Sequence, residues 1–300
     1  MTQFRWSAIQ PAEVLEESRA ARFRPEWRPL LFSYLGLAEG MQVLEVCCGP
    51  GTLAPYLAAG IAPGSVTGLD LDAEFIARAS AKAEADGLRG VRYIVGDAYA
   101  LPFPDASFDA VTSYTGIGIL ADPRQAIAEM VRVCRPKGAV SIAEAVAGPG
   151  GITFDGIDAL EGQAPYDGAP RLRDLSRRLH AGYSAIPRGV GSSQWPVRAL
   201  WALMAELGLG DLRLNAWGHV MAPDDSRTPA AVRLAHRRIQ QAELEAWIDE
   251  LLSGEDYRVL SRQELLELRE LGLKRQGWAM EHPLWDWEAS LSLAAVGRKL

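Results

Sequence analysis

Three cysteines in 300 residues are too few for a disulfide framework, and their arrangement excludes more than their number does: Cys47 and Cys48 are neighbours, and Cys134 stands alone. Adjacent cysteines do not easily bridge, and no Cys or His spacing suits a structural zinc, so no metal is expected. Long apolar runs are missing too. No stretch approaches the roughly 20 apolar residues of a membrane span, and Met1 to Trp6 lacks the apolar segment of a signal peptide. The expectation is a reducing, cytoplasmic setting away from membranes.

Basic charge is the next shortage. Lys and Arg number 13 against 17 Asp and Glu up to residue 150, and 18 against 21 beyond it, for a net charge of −7. Neither half has the surplus that a phosphate backbone attracts, which argues against a nucleic-acid partner. No internal repeat or low-complexity tract interrupts the chain, and its 48% hydrophobic content suffices for a full core.

What is present is concentrated in Val43-Leu44-Glu45-Val46-Cys47-Cys48-Gly49-Pro50-Gly51-Thr52-Leu53-Ala54. It reads as a buried strand, a loop of small residues and a helix start. Glycines let backbone approach a ligand closely, and the free N–H groups of a helix start need an acceptor. Upstream, Trp27, Leu30, Leu31, Tyr34 and Leu35 have helical spacing, and Gly40 ends that lead-in. Arg22, Arg24, Trp27 and Arg28 are placed to reach back over the loop, although a packed, solvated helix face accounts for them as well.

Downstream, strands at 43–46, 65–70, 91–95, 108–113 and 139–145 alternate with helices such as 123–134, whose stripe of Ile127, Met130, Val131 and Cys134 stops before Pro136 and Gly138. Repeated strand and helix units imply an α/β, doubly wound parallel sheet with its ligand outside the carboxyl ends of the strands. Each of those ends carries a polar group. Asp70 closes the second strand, placed to accept from ribose hydroxyls; Asp97 follows the third, placed to accept from an adenine amino group. Ser113 and Tyr114 close the fourth, and Glu144 lies near the end of the fifth.

Two cofactors compete for an adenosine site of this kind. A dinucleotide asks for three loop glycines and a purely apolar first strand. Here the loop is Cys-x-Gly-x-Gly, and Glu45 would repel a pyrophosphate while suiting the ammonium of a methionine tail. S-adenosylmethionine is the better match.

On the motifs just quoted, with Gly68-Leu69-Asp70-Leu71-Asp72, Gly96-Asp97-Ala98, the run from Leu101 to Asp109 and Arg132-Val133-Cys134-Arg135-Pro136-Lys137-Gly138, the stretch 43–145 resembles the class I S-adenosylmethionine-dependent methyltransferases, in particular their small-molecule group. The resemblance covers the first half of the chain and its final strand. It implies a Rossmann-like, mostly parallel seven-stranded sheet with helical cap insertions. The core would span 1–145, with insertions at 146–195 and 222–285, a core helix and strand at 196–221, and a last strand at 286–300. It also implies that Glu45, Cys47, Gly49 and Gly51 hold the methionine moiety, Asp70 the ribose, Leu71 the adenine face, and Asp97 and Ala98 the adenine edge, with Ser113 and Tyr114 along the methyl side. Cys47 replaces the family's first loop glycine. A cysteine favours negative φ, so it is read as a small lining residue on an accommodating or displaced loop, with a reactive thiol as the sharper alternative.

The acceptor side is less legible. Seven of nine tryptophans fall after residue 150, enough to build an apolar pocket. In-line methyl transfer needs alignment first and a base only when the acceptor must lose a proton. Glu144, His219 and Tyr114 are the candidates for catalysis, with His180 and Tyr183 behind them. The reading is methyl transfer to a small-molecule acceptor. Its alternatives are an RNA or protein methyltransferase and a non-catalytic adenosylmethionine-binding regulator.

Overall fold

A computed structural model describes residues 12, 15, 16, 19, 23–145, 152–154, 167–183, 197–221, 230–253, 259–282 and 287–300. The chain divides into two compact units, one of Met1–Val146, Val190–Gly218 and Leu291–Leu300, the other of Ala147–Gly189 and His219–Ser290.

The first unit is built on β1 (Gln42–Val46), whose residues after the first are all buried. A strand covered on both faces has no need to alternate, which is why Val43, Leu44 and Val46 read as a run. Val43 joins the apolar cluster that holds Leu31, Phe32, Leu35, Leu57 and Ile61. Leu44 joins the opposite one, with Ile127, Met130, Leu200 and Met204. These are the two faces of one sheet. Parallel pairings join β1 to β2 (Ser65–Asp70) on one side and to β4 (Phe108–Tyr114) on the other. Beyond β2 lies β3 (Val91–Val95), and beyond β4 lies β5 (Cys134–Ala145). The strand order therefore reverses at β1, and the crevice outside β1 and β4 is where such sheets bind ligands.

Local signals explain the elements around it. α1 (Arg28–Leu35) ends where Gly36 turns left-handed, at φ 71°. α2 (Leu53–Ile61) follows the loop after β1 without a side-chain cap. α3 (Ala73–Ala85) is capped by Asp72, which accepts from the Glu74 N–H at 3.0 Å. α4 (Pro123–Val133) is capped by Asp122 with proline in its first turn. The run from Leu101 to Asp109 is held down by Arg132, which donates to the Leu101 and Phe103 carbonyls and to Asp105 and Glu129, all at 2.7–2.9 Å. That motif serves the fold.

The seven expected strands are present, with a short eighth. β6 (Ile152–Phe154) pairs antiparallel with Trp287 to Ala289 of β8 (Trp287–Lys299), just after the glycine- and proline-rich run Gly148-Pro149-Gly150-Gly151. Farther along, β8 runs antiparallel to β5, and β7 (Leu209–Met221) pairs with β8. α6 (Val197–Glu206) precedes β7.

In the second unit, α5 (Ala169–Tyr183), α7 (Ala230–Ser253) and α8 (Arg262–Glu281) share a core of Leu172, Leu175, Leu179, Ile248, Leu251, Leu265 and Leu268. The Ser261 and Glu264 capping box legible in the sequence starts α8. Thr228 and Pro229, which stand in N-cap and N1 order just before α7 in the sequence, lie outside the described residues. No described helix is long and apolar enough to cross a membrane.

Candidate functional site

The loop after β1 is set by three left-handed residues: Cys47 at φ 59°, Gly49 at 56° and Gly51 at 80°. Cys47 therefore does not take negative φ, and the loop keeps the path that a glycine would take. Left-handed backbone costs a residue with a Cβ about 1–2 kcal/mol, and such strain clusters at ligand sites. Gly51 is confined: a Cβ there would lie 2.6 Å from the Tyr93 hydroxyl and 2.7 Å from Ala79. Tyr93 in turn donates to the Gly51 carbonyl at 3.1 Å, and the Cys48 N–H donates to Leu69 O at 3.0 Å, tying the loop to β2. Burial and the negative charges of Asp70, Glu144 and Glu45 push the Cys47 thiol well above its ordinary range. It is a neutral lining group, not an activated nucleophile.

On the β2 side of the loop, Asp70 is held by two backbone donors, Gly49 N–H at 2.8 Å and Asp72 N–H at 2.9 Å. Burial raises its pKa while those donors pull it back. Leu71, next in the chain, leaves 39% of its surface exposed, an apolar face beside the carboxylate. Asp97 is exposed and accepts from the Tyr99 N–H at 2.8 Å; Ala98 beside it is buried.

At the end of β1 and around the end of β4, buried groups leave polar atoms unmatched. Glu45 is 3% exposed, and its Oε2 has no partner. Burial pushes its pKa to about 8, against the pull of Arg19 and of the Ala54 N–H. Ser113 Oγ, Thr115 Oγ1 and Thr52 Oγ1 are also buried without partners. Thr115 is left-handed at φ 55°, and a Cβ on Gly116 would lie 2.4 Å from the Cys47 Cβ and 3.1 Å from Ser113 Oγ. Buried polar atoms are almost always hydrogen-bonded, and four of the unpartnered ones among the described residues gather around this strained loop.

The catalytic candidates separate. Glu144 is buried near the end of β5, accepts from the Gly118 N–H at 2.8 Å and has its pKa pushed to about 7 by burial. Its charge acts on Cys47, which puts it beside the loop. Tyr114 faces away from Ser113. Its hydroxyl shares a 3.1 Å hydrogen bond with Ser292 Oγ, and its ring packs edge-on to Phe23 at 5.1 Å and tilted to Trp217 at 6.2 Å. The side chains of His219, His180 and Tyr183 lie outside the described residues. Trp217 also lines a cavity of about 220 Å³ with Trp27, Leu30, Leu31 and Tyr34.

Arg19 is the residue that the sequence reading missed. Its Nη1 lies 3.1 Å from where a Cβ on Gly49 would stand, and its charge acts on Glu45, Asp70 and Glu144 alike. The arginines singled out instead are engaged elsewhere. Arg24 stacks on Trp27 at 5.3 Å and Arg28 on Tyr56 at 4.8 Å, while Arg22 lies outside the described residues. The available signal was spacing: Leu15, Arg19 and Phe23 recur every fourth residue.

Residues 43–138 match a family model described as "Methyltransferase domain". Over 119 residues, 39% of this chain and 47% of the relative, the chain is 39% identical to a demethylmenaquinone methyltransferase of Renibacterium salmoninarum. Over 121 residues, 39% of this chain and 46% of the relative, it is 40% identical to the chloroplastic 2-phytyl-1,4-beta-naphthoquinone methyltransferase of Arabidopsis thaliana. The chain spans about half the length of these curated relatives. Among solved structures, a Bacillus halodurans C-125 protein provisionally described as a methyltransferase is 18% identical with a TM-score of 0.51, over 91% of this chain and 98% of that one. That likeness shows the fold.

Proposed function

With a methyltransferase domain matched over residues 43–138, we propose that the protein transfers a methyl group from S-adenosylmethionine to a small-molecule acceptor. The observation that carries this reading is the pairing of a ribose-ready Asp70 with the buried, unpartnered oxygens Glu45 Oε2, Ser113 Oγ and Thr115 Oγ1 around one strained loop. Bound there, the cofactor supplies an electrophilic methyl on a sulfonium. Glu45 accepts from the ammonium of the methionyl group, and Asp70 accepts from the ribose hydroxyls. Leu71 covers one adenine face, while Asp97 and Ala98 meet its edge. Ser113 lines the methyl side. The loop of Cys47, Gly49 and Gly51 brings backbone close to the ligand.

A bound cofactor would supply both the methyl and its thioether leaving group, which would keep the electron pair of the carbon–sulfur bond, so this chain's residues would have to line up the acceptor's lone pair opposite that bond. Alignment and exclusion of water provide most of the acceleration. Where the acceptor loses a proton, Glu144 receives it; a carboxylate with its pKa near 7 is matched to that task at neutral pH.

Two relatives act, by name, on demethylmenaquinone and on a phytyl naphthoquinone. Ring-bearing quinols of that type are therefore the first acceptors to test, and the cavity beside Trp217 offers an apolar site of part-molecule size. The similarity to small-molecule enzymes favours this reading over an RNA or protein substrate. We assign acceptor choice to the insertions 146–195 and 222–285. Three free thiols suit a cytoplasmic setting. Calorimetry with S-adenosylhomocysteine is expected to show micromolar binding, and mass spectrometry a gain of one methyl on a reduced naphthoquinone. Binding of NAD with no heat from either adenosyl compound would overturn the cofactor assignment.

A further inference from the structure

The cradle has an imbalance that its own residues explain only in part. Glu45, Asp70 and Glu144 bring three carboxyl groups to it, and the cation acting on all three is Arg19, from the segment that precedes the sheet. An amino-acid tail is zwitterionic: its ammonium needs an anion and its carboxylate needs a cation. Glu45 answers the first need. The planar fork of a guanidinium answers the second best, because it meets both oxygens of a carboxylate at once.

Arg19 is held for that task from both sides. One helical turn before it, Leu15 is buried, and Glu16 accepts from Arg78 of α3 at 2.9 and 3.3 Å, with Lys82 at 3.6 Å. Four residues after it, buried Phe23 packs on Tyr56 at 5.6 Å and on Tyr114 at 5.1 Å. Tyr56 fastens the next residue by donating to the Arg24 carbonyl at 3.0 Å. Glu16 and Phe23, on either side of Arg19 in the chain, are thus fixed at α3 and at the end of β4. The Arg19 guanidinium arrives over Gly49, 3.1 Å from where a side chain on that glycine would begin. Gly49 thus has a second reason to be glycine besides its positive φ: a Cβ would press on the arginine.

We infer that Arg19 is a positioning residue that receives the carboxylate of the bound methionyl group, so that the lead-in segment selects adenosyl ligands carrying the whole amino acid over those without it. This rests on the cofactor reading above and adds to it a residue that lies outside the matched domain. Glu45 takes the ammonium and Arg19 the carboxylate.

The test is calorimetry on the full chain with two probes, S-adenosylhomocysteine and 5′-methylthioadenosine, which keeps adenine, ribose and thioether but lacks the amino-acid tail. Arg19→Ala is expected to weaken S-adenosylhomocysteine about 10- to 100-fold, the usual range for a lost charge-assisted pair. Binding of 5′-methylthioadenosine should change less than about threefold, the ordinary scatter of a site left untouched. Arg19→Lys should recover part of the loss, and it serves as the test variant if the alanine protein melts early. Equal losses for both probes would overturn the inference, since they mean that Arg19 merely shapes the loop. Unchanged or tighter S-adenosylhomocysteine binding would overturn it too, placing the guanidinium where the ammonium belongs. Wild-type protein that binds neither probe removes the cofactor reading itself, whereas firm wild-type binding with a flat Arg19 series removes only this inference.

Discussion

The two halves of the cradle are built in opposite ways. On the β2 side, Asp70 is matched: two backbone N–H groups hold its oxygens, and the Leu71 side chain stands open beside it. At the ends of β1 and β4, Glu45 Oε2, Ser113 Oγ and Thr115 Oγ1 are buried without partners, close in the chain to left-handed Cys47 and Thr115. On the proposed assignment, the half that would take the nucleoside is preorganised at little cost to the free protein, and the half that would take the methionyl group carries strain and desolvation that the ligand would relieve. The difference teaches that affinity and stability should respond in opposite senses on the two sides.

The largest expected effect is on the matched side. Asp70→Ala removes the ribose acceptor and releases the Gly49 and Asp72 N–H groups, so S-adenosylhomocysteine affinity should fall at least about 100-fold and stability by about 1–3 kcal/mol, read by calorimetry and denaturant melts. Both quantities drop together there.

Glu45→Gln should separate them. Affinity for S-adenosylhomocysteine should fall about 10- to 50-fold with the loss of a charged acceptor, yet the protein should become more stable. The sign follows from the raised pKa. Between the unfolded value near 4.5 and the folded value of about 8, the folded state holds a proton that the unfolded state gives up, so wild-type stability declines as pH rises through that window. The variant escapes the decline, and its advantage should grow from pH 5 to pH 8, to the order of 2 kcal/mol. An advantage that is flat with pH would remove the contrast.

Glu144→Gln sharpens the division within the unmatched half. If Glu144 takes the acceptor's proton, the rise of kcat with pH around 7 should vanish and kcat should fall about 10- to 1000-fold. S-adenosylhomocysteine binding should change little. Parallel loss of binding would instead make Glu144 the support of the turn at Gly118.

The smallest effect belongs to Cys47→Gly. Relief of the left-handed strain should add about 1 kcal/mol, offset in part by lost packing. Melting temperatures would report this, and a marked loss of stability would show that the cysteine is not strained.

Much of this contrast was legible beforehand, and the reasons are physical. Strand ends can be read from apolar runs and the glycines after them, so Asp70, Asp97, Glu45 and Ser113 were placed at the carboxyl edge from periodicity and order. Their states were not legible. That both Asp70 oxygens are bonded while Glu45 Oε2 is left over depends on loop path, and the loop path turns on Cys47 accepting a φ usually left to glycine. Arg19 escaped because its position is fixed by contacts 62 residues away, from Glu16 to Arg78. Tyr114, read as facing the methyl, has a hydroxyl bonded to Ser292 from 178 residues onward. β6 was missed because three residues carry no period of their own; only their pairing with β8 makes them a strand.

The central claim is that the ligand supplies the missing partner of a buried, neutral Glu45. Calorimetric titration of S-adenosylhomocysteine at pH 7, repeated in buffers of different ionisation heat, tests it most directly. A carboxyl group that holds its proton up to about pH 8 in the free protein must give it up to meet an ammonium. Net proton release on binding is predicted, with affinity rising between pH 6 and pH 8 and the release abolished in Glu45→Gln. Tight binding with no proton released, or with a proton taken up, would contradict the account.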